Sequence, residues 1–101
     1  MDEQDRVAEF VEVHGLHAPP TFRLLDLVSE VGDLAKAAAE STGYGDRPGA
    51  IDVPADEVGD ALFSLLALAE GLDVDAGEAL EAALAKYERR LAERGEPSSG
   101  E

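Results

Sequence analysis

Apolar and polar residues alternate along the chain in four stretches of helical period, separated by breaks rich in glycine and proline. Apolar residues recur at intervals of three and four across residues 2–13, 21–41, 54–70 and 75–94, which is the spacing of amphipathic helices. Glycine follows shortly after the first two stretches, where it favours a helix end, and no run shows the period of a strand. The pattern therefore predicts an all-α, four-helix antiparallel bundle.

The third stretch differs from the others because its apolar side chains point almost all the way round the helix. This pattern indicates a helix enclosed by neighbours rather than one lying on a surface. Glu57, Asp60 and Ser64 form its one polar strip. Two ionised carboxylates on an enclosed helix need a cation or hydrogen-bond donors, because removing one charge from water costs on the order of several kcal/mol. The strip is therefore a candidate for chemistry.

The same acidic pair occurs on the second predicted helix. The sequence Glu-Val-Gly-Asp stands at residues 30–33 and again at residues 57–60. In each copy the acids share one helical face, and the glycine between them is favoured where a helix or a ligand approaches closely. Short connections favour antiparallel neighbours, so we expect four carboxylates to converge. These are Glu30, Asp33, Glu57 and Asp60.

A site made only of carboxylates points to Mg²⁺, with Mn²⁺ as the alternative, because hard oxygen ligands suit hard cations. The spacing alone is weak evidence, since Glu9 and Glu12 show it too in this acidic chain. The other interpretation is that both pairs lie on solvated faces. A di-iron bundle site is not favoured, because neither His14 nor His17 follows a Glu by three positions.

Composition narrows the class of protein. The chain has 101 residues, 23 acids against 8 bases and a net charge of −15, which argues against binding to nucleic acid polymers or anionic membranes. It has no cysteine, which excludes disulfides and suits a reducing compartment, and its polar start is unlike a secretory signal. We expect a cytoplasmic protein with one domain at residues 1–94 and a flexible tail at residues 95–101.

The motifs together resemble those of the MazG-like family of all-α nucleoside triphosphate pyrophosphohydrolases. The similarity centres on residues 27–34 and 56–63, where Gly-Asp-x-Leu-Phe continues the second acidic pair, and it extends from about residue 10 to residue 90. It implies hydrolysis of a nucleoside triphosphate to monophosphate and pyrophosphate by a homodimer or homotetramer. Carried over by position, the Mg²⁺ ligands would be Glu30, Asp33, Glu57 and Asp60, and the catalytic candidates are Glu30 and Glu57.

The resemblance also implies where the substrate is held. His14 and His17 lie in the segment that is similar to the base-contacting region, although they could be ordinary loop residues. Lys86, Arg89 and Arg90 resemble the basic end of the last helix, which faces the phosphates, although they could pair with surface acids.

The chain departs from the family pattern in the first acidic motif. Asp33 stands where many members have Glu, and Ser29 stands where many have a further Glu. Three alternatives stay open: a phosphoribosyl-ATP-type pyrophosphohydrolase, a non-catalytic nucleotide-binding oligomer and a plain helical dimerisation module.

The spread of acids along the whole chain predicts adaptation to a salt-rich cytoplasm. We expect thermal stability to rise from low to molar salt, because screening removes the mutual repulsion of surface carboxylates. Thermal melting across a salt series measures this effect. Equal stability at both ends of the series would contradict the prediction.

Overall fold

The computed structural model describes residues 2–97. Its four α-helices are α1 Asp2–Val13, α2 Pro20–Ser41, α3 Ala55–Gly71 and α4 Ala76–Arg94. One 3-10 turn, Pro48–Ala50, lies between α2 and α3. No strand occurs in the described residues, so the all-α class is confirmed. None of these helices has both the length and the apolar content needed to cross a bilayer. The predicted tail lies only partly within the structure, since residues 98–101 fall outside the described range.

The helix ends are encoded locally. Pro20 occupies the first turn of α2, where its missing N–H costs nothing. The Asp75 carboxylate accepts a hydrogen bond of 3.0 Å from the Glu78 backbone N–H and so caps α4. This bond is the main cause that lowers the pKa of Asp75. Gly95 ends α4 in the left-handed conformation, with φ at +76°.

α3 is the central helix of the molecule. α2 packs along it in the antiparallel direction, with Pro20 so near Gly71 that a Cβ on the glycine would lie 3.4 Å from the proline ring. α1 crosses another side of α3, where the rings of Phe10 and Phe63 meet edge to face at 5.9 Å. Among the described residues, the buried apolar ones are Val11, Leu66, Ala67 and Ala69.

α4 leaves the other helices soon after it begins. Extensive helix packing joins α3 to α2 and to α1 but not to α4. The apolar residues Leu62, Leu65, Leu72 and Leu80 line a groove of about 400 Å³ where α3 and α4 diverge. Leu62 and Leu65 on that side of α3 are consequently half-exposed. The expectation that α3 is fully enclosed is therefore not met within the single chain.

Gln4 fixes the point from which α4 starts. Its side chain is buried, with 4% of the residue exposed. The amide Nε2 donates a hydrogen bond of 2.7 Å to the Val74 carbonyl, and Oε1 accepts one of 2.7 Å from the Ala76 backbone N–H. The Ala76 N–H belongs to the first turn of α4, where no partner exists within the helix. One side chain thus joins α1 to the turn between α3 and α4.

We predict that Gln4→Ala lowers the free energy of unfolding by about 2 kcal/mol, because it leaves a carbonyl and an N–H without partners in a partly buried place. In a domain of this size that loss corresponds to a fall in Tm of roughly 10 °C, which thermal unfolding by circular dichroism measures. The neighbouring exposed residue supplies the control: Glu3→Ala should change stability by no more than about 0.5 kcal/mol. Equal effects of the two substitutions would contradict the role of Gln4.

Candidate metal centre

Three carboxylates from two helices converge near the start of α3. Glu30 and Asp33 of α2 and Glu57 of α3 each offer one oxygen atom, and these oxygens all lie within 4.8 Å of one another. Glu30 and Glu57 are half-buried, and Asp33 is exposed. The antiparallel packing brings the middle of α2 beside the first turn of α3, so three of the four predicted acids come together.

Asp60, the fourth predicted acid, stands beside this set rather than in it. It lies one helical turn after Glu57, is exposed and borders a groove between α1 and α3. Among the acids near Glu30, its charge raises the pKa of Glu30 most. Asp60 therefore acts on the site through its charge.

The cluster carries negative charge that the chain itself does not neutralise. Partial desolvation between the helices raises the pKa of Glu30, and the charges of Asp60 and Asp33 raise it further. Desolvation also raises the pKa of Glu57, followed by the charges of Asp33 and Asp56. Within residues 2–97, no basic side chain is among the charged neighbours that produce these shifts. A divalent cation would supply the counter-charge.

The donor set fits a hard divalent cation. Mg²⁺ binds six oxygens at about 2.0–2.1 Å, so ligands on opposite sides of the ion are about 4.2 Å apart, and the corresponding span for Ca²⁺ is about 5 Å. The three oxygens lie within 4.8 Å of one another, and rotation of the side chains can adjust their separations to such an ion. Mn²⁺ has similar ligand preferences. The assignment of Mg²⁺ stays a prediction.

An apolar groove of about 540 Å³ lies between α1 and α3, and of the four predicted acids only Asp60 borders it. Phe10 and Phe63 form an aromatic wall, and Arg6 adds a positive charge at the side of α1. Gly59 also borders the groove, and a Cβ there would meet no other atom within 4 Å. The groove can receive a flat apolar group, and Asp60 places one carboxylate at its border.

The two histidines predicted to bind substrate are placed differently from each other. The His14 ring packs on Phe10, with centroids 4.4 Å apart, so it supports the aromatic wall from behind. His17 Nε2 lies 2.7 Å from a Glu12 carboxylate oxygen, and the residue lines another cleft that includes Glu70. That cleft is near the opposite end of α3, about 20 Å along the helix from the carboxylates.

The basic residues predicted to bind phosphate lie on α4, away from the carboxylates of their own chain. The Lys86 ammonium stands 5.1 Å from the centre of the Tyr87 ring, and Arg90 donates a hydrogen bond of 3.2 Å to the Pro97 carbonyl. Arg89 is exposed on the same helix. Because α4 diverges from α3, the single chain does not bring these side chains to the cluster.

Sequence reasoning did not identify the aromatic wall. The apolar pattern of α1 gives Phe10 a core role, and only the crossing of α1 over α3 shows that it also lines the groove. A signal was present, because Phe63 follows Asp60 by three positions and Arg6 precedes Phe10 by four. Gly32, by contrast, has no close neighbour among the described atoms, so a nearby helix does not explain this glycine.

Comparison with models of known protein families, with curated protein sequences and with solved structures finds no match. Support for a function comes from the geometry of the carboxylates and the groove and from the motifs of the chain.

We predict that Glu57→Gln stabilises the metal-free protein at pH 7, because the raised pKa shows that ionising this carboxyl opposes folding. The wild type should gain stability as the pH falls from 7 toward the ordinary glutamate value of 4.5, because the folded protein takes up protons first. The variant should gain less over the same window. Thermal melts across this pH range, in buffer freed of divalent ions, measure both effects.

A matched control distinguishes the cluster from acidity in general. Glu9→Gln removes the same charge from an acidic pair of the same spacing on α1 and should leave the pH dependence unchanged. Adding Mg²⁺ at about one hundred times its Kd should stabilise the wild type by about 2.7 kcal/mol and Glu57→Gln by much less. An identical response to Mg²⁺ in both proteins would exclude Glu57 as a ligand.

Proposed function

We propose that the protein is a Mg²⁺-dependent nucleoside triphosphate pyrophosphohydrolase, with Mn²⁺ as the alternative ion. The observation that carries the proposal is the convergence of Glu30, Asp33 and Glu57 from the two repeated acidic motifs, with Asp60 of the second motif bordering an aromatic-lined groove. Desolvation and the neighbouring acidic charges raise the pKa of Glu30 and of Glu57, so ionising these two carboxyls opposes folding and stability does not explain the cluster. The resemblance of both motifs to those of the MazG-like family also supports the proposal of a nucleoside triphosphate pyrophosphohydrolase.

The two parts of the site match the two parts of such a substrate. A nucleobase would stack on the aromatic wall of Phe10 and Phe63, since aromatic side chains offer π-faces to any base. The triphosphate would then lie toward Asp60 and the three converging carboxylates. A triphosphate is repelled by a chain of net charge −15, so a divalent ion between phosphate and carboxylates is required. When bound, the ion would also lower the pKa of a coordinated water.

The proposed reaction is attack of water on the α-phosphorus. A new bond forms between the water oxygen and that phosphorus, the bond to the α–β bridging oxygen breaks, and pyrophosphate leaves with its electron pair. A carboxylate accepts the proton of the water. Glu30 and Glu57 are the candidates, because a raised pKa makes a carboxylate a better proton acceptor near neutral pH. Asp33 and Asp60 would hold and orient the ion.

The proposal includes assembly into a homodimer or homotetramer. Lys86, Arg89 and Arg90 of α4 would bind phosphate oxygens if assembly brought them to a site. His14 would support base binding through its contact with Phe10. His17 lies too far along α3 to take part within the same chain.

We expect the wild type with Mg²⁺ to convert at least one nucleoside triphosphate of a mixed panel to monophosphate and pyrophosphate, resolved by liquid chromatography. Glu57→Gln should lower kcat by about 10²-fold or more, because it removes a metal ligand and a candidate base. Phe10→Ala should raise KM with a smaller change in kcat, since it removes contacts to the base but leaves the carboxylates in place. Glu9→Gln is the control and should retain full activity.

Equal turnover by wild type and Glu57→Gln would contradict the catalytic role of Glu57. Three other outcomes would each favour one of the alternatives. Pyrophosphate released from phosphoribosyl-ATP alone would favour the biosynthetic alternative. Binding of nucleotide and Mg²⁺ without product would favour a non-catalytic binding protein, and the absence of any stabilisation by Mg²⁺ would favour a dimerisation module.

A further inference from the structure

Two charged residues of α1 border the aromatic groove and have no partner within the described chain. They are Glu3 and Arg6, and both are exposed. Three acids, Asp2, Glu3 and Glu9, stand three or four positions from Arg6, which is the spacing of ion pairs along a helix. Within residues 2–97, however, neither the Arg6 nor the Glu3 side chain forms an ion pair or a hydrogen bond. Both groups are therefore available to a molecule in the groove.

Glu3 and Arg6 lie toward the end of the groove that is away from Asp60. α1 runs antiparallel to α3, because Gln4 bonds to the Val74 carbonyl beyond the end of α3 while the two rings of the aromatic wall meet farther back along it. A flat group stacked on the aromatic wall thus has Asp60 on one side and the two α1 residues on the other. A nucleotide with its phosphates toward Asp60 would direct an edge of its base to Glu3 and Arg6.

The chemistry of these two side chains restricts which edge can bind. An ionised carboxylate only accepts hydrogen bonds, whereas a guanidinium only donates them and offers its N–H groups in parallel pairs. Glu3 and Arg6 are three positions apart, which is about 4.5 Å along the helix axis. The complementary edge therefore carries N–H donors directly beside a pair of acceptors.

Among the common bases, guanine has this edge. Its N1–H and N2 amino group suit a carboxylate, and its adjacent O6 and N7 suit the two N–H groups of an arginine. Adenine has its amino group between N1 and N7, so it would meet the guanidinium with a donor. Cytosine offers two acceptors but only its amino group to the carboxylate, and uracil and thymine offer one N–H. Guanine can form four hydrogen bonds with such a pair, and each other base forms at most three.

We propose that Arg6 and Glu3 select guanine nucleotides. Arg6 donates to O6 and N7 of the base, Glu3 accepts from N1 and N2, and the ring stacks on the aromatic wall. This assignment rests on the proposed function, because that function provides the triphosphate and the metal ion at the other end of the nucleotide. It adds the identity of the base and two residues that no metal or proton-transfer role requires.

The first test compares the affinities of the guanine, adenine, cytosine and uracil nucleoside α,β-methylene triphosphates, in which the bond to be hydrolysed is replaced. Isothermal titration calorimetry with Mg²⁺ measures each Kd. We expect the guanine compound to bind the wild type about tenfold or more tightly than the others. Arg6→Lys keeps the charge but loses the paired N–H groups, so it should remove most of this preference. Glu3→Ala should also reduce it.

Glu9→Ala is the matched control, because it removes the same charge from α1 at a position that does not line the aromatic groove. It should leave the preference for guanine unchanged. Equal affinity of the wild type for the guanine and adenine compounds would overturn the proposal. An equal loss of affinity for all four compounds in Arg6→Lys would also overturn it, because Arg6 would then bind phosphate rather than the base.

The second test changes single atoms of the base. The 7-deazaguanine compound lacks the N7 acceptor, and the hypoxanthine compound lacks the N2 amino group. Each should bind the wild type about fivefold or more weakly than the guanine compound, because a bond to a charged group is lost. The loss from 7-deazaguanine should disappear in Arg6→Lys, and the loss from hypoxanthine should disappear in Glu3→Ala. Losses that persist unchanged in these variants would overturn the assigned contacts.

These outcomes separate base selection from catalysis. If the protein releases pyrophosphate equally well from all four nucleoside triphosphates, the selection of guanine is wrong and the proposed function stands. If the guanine compound binds selectively as described but no pyrophosphate is released from guanosine triphosphate, the base selection stands and the proposed catalytic function is wrong.

Discussion

The packing of α2 against α3 holds together carboxylates that repel one another, and the rest of the molecule depends on that contact. Pro20 and Gly71 close the pair at one end, while Glu30, Asp33 and Glu57 meet toward the other. The helices therefore attract along most of their length and repel at the acidic end. Partial desolvation and the neighbouring acidic charges raise the pKa values of Glu30 and Glu57. A cation bound there, as proposed, would turn the repulsion into attraction.

The sequence was sufficient for the helices and for most of the cluster, because both are encoded by local rules. The helix ends follow from Pro20, Asp75 and glycines, and each predicted boundary lies within about one residue of the observed one. The repeated acidic motif on two consecutive helices was enough to predict that Glu30, Asp33 and Glu57 come together. Asp60 falls beside the set because one helical turn moves it toward the α1 side of α3. Such an offset depends on interhelical rotation, which the motif does not encode.

The aromatic groove and the direction of α4 were beyond sequence reasoning for a different reason. The groove exists because α1 crosses α3 at Phe10 and Phe63, and a crossing angle is set by how side chains interlock over long range. The direction of α4 is set at its first residue by the two hydrogen bonds of Gln4, which is separated from them by about seventy positions in the chain. The sequence pattern around this glutamine, in an acidic first helix, does not predict these hydrogen bonds.

The apolar pattern of α3 is nevertheless informative once the fold is known. A helix that is apolar on three sides needs three neighbours, and the single chain supplies α2, α1 and only the beginning of α4. The single chain leaves this requirement unmet, since Val58 and Leu65 are half-exposed. The short list of buried apolar residues in a chain that is 45% hydrophobic agrees with this view.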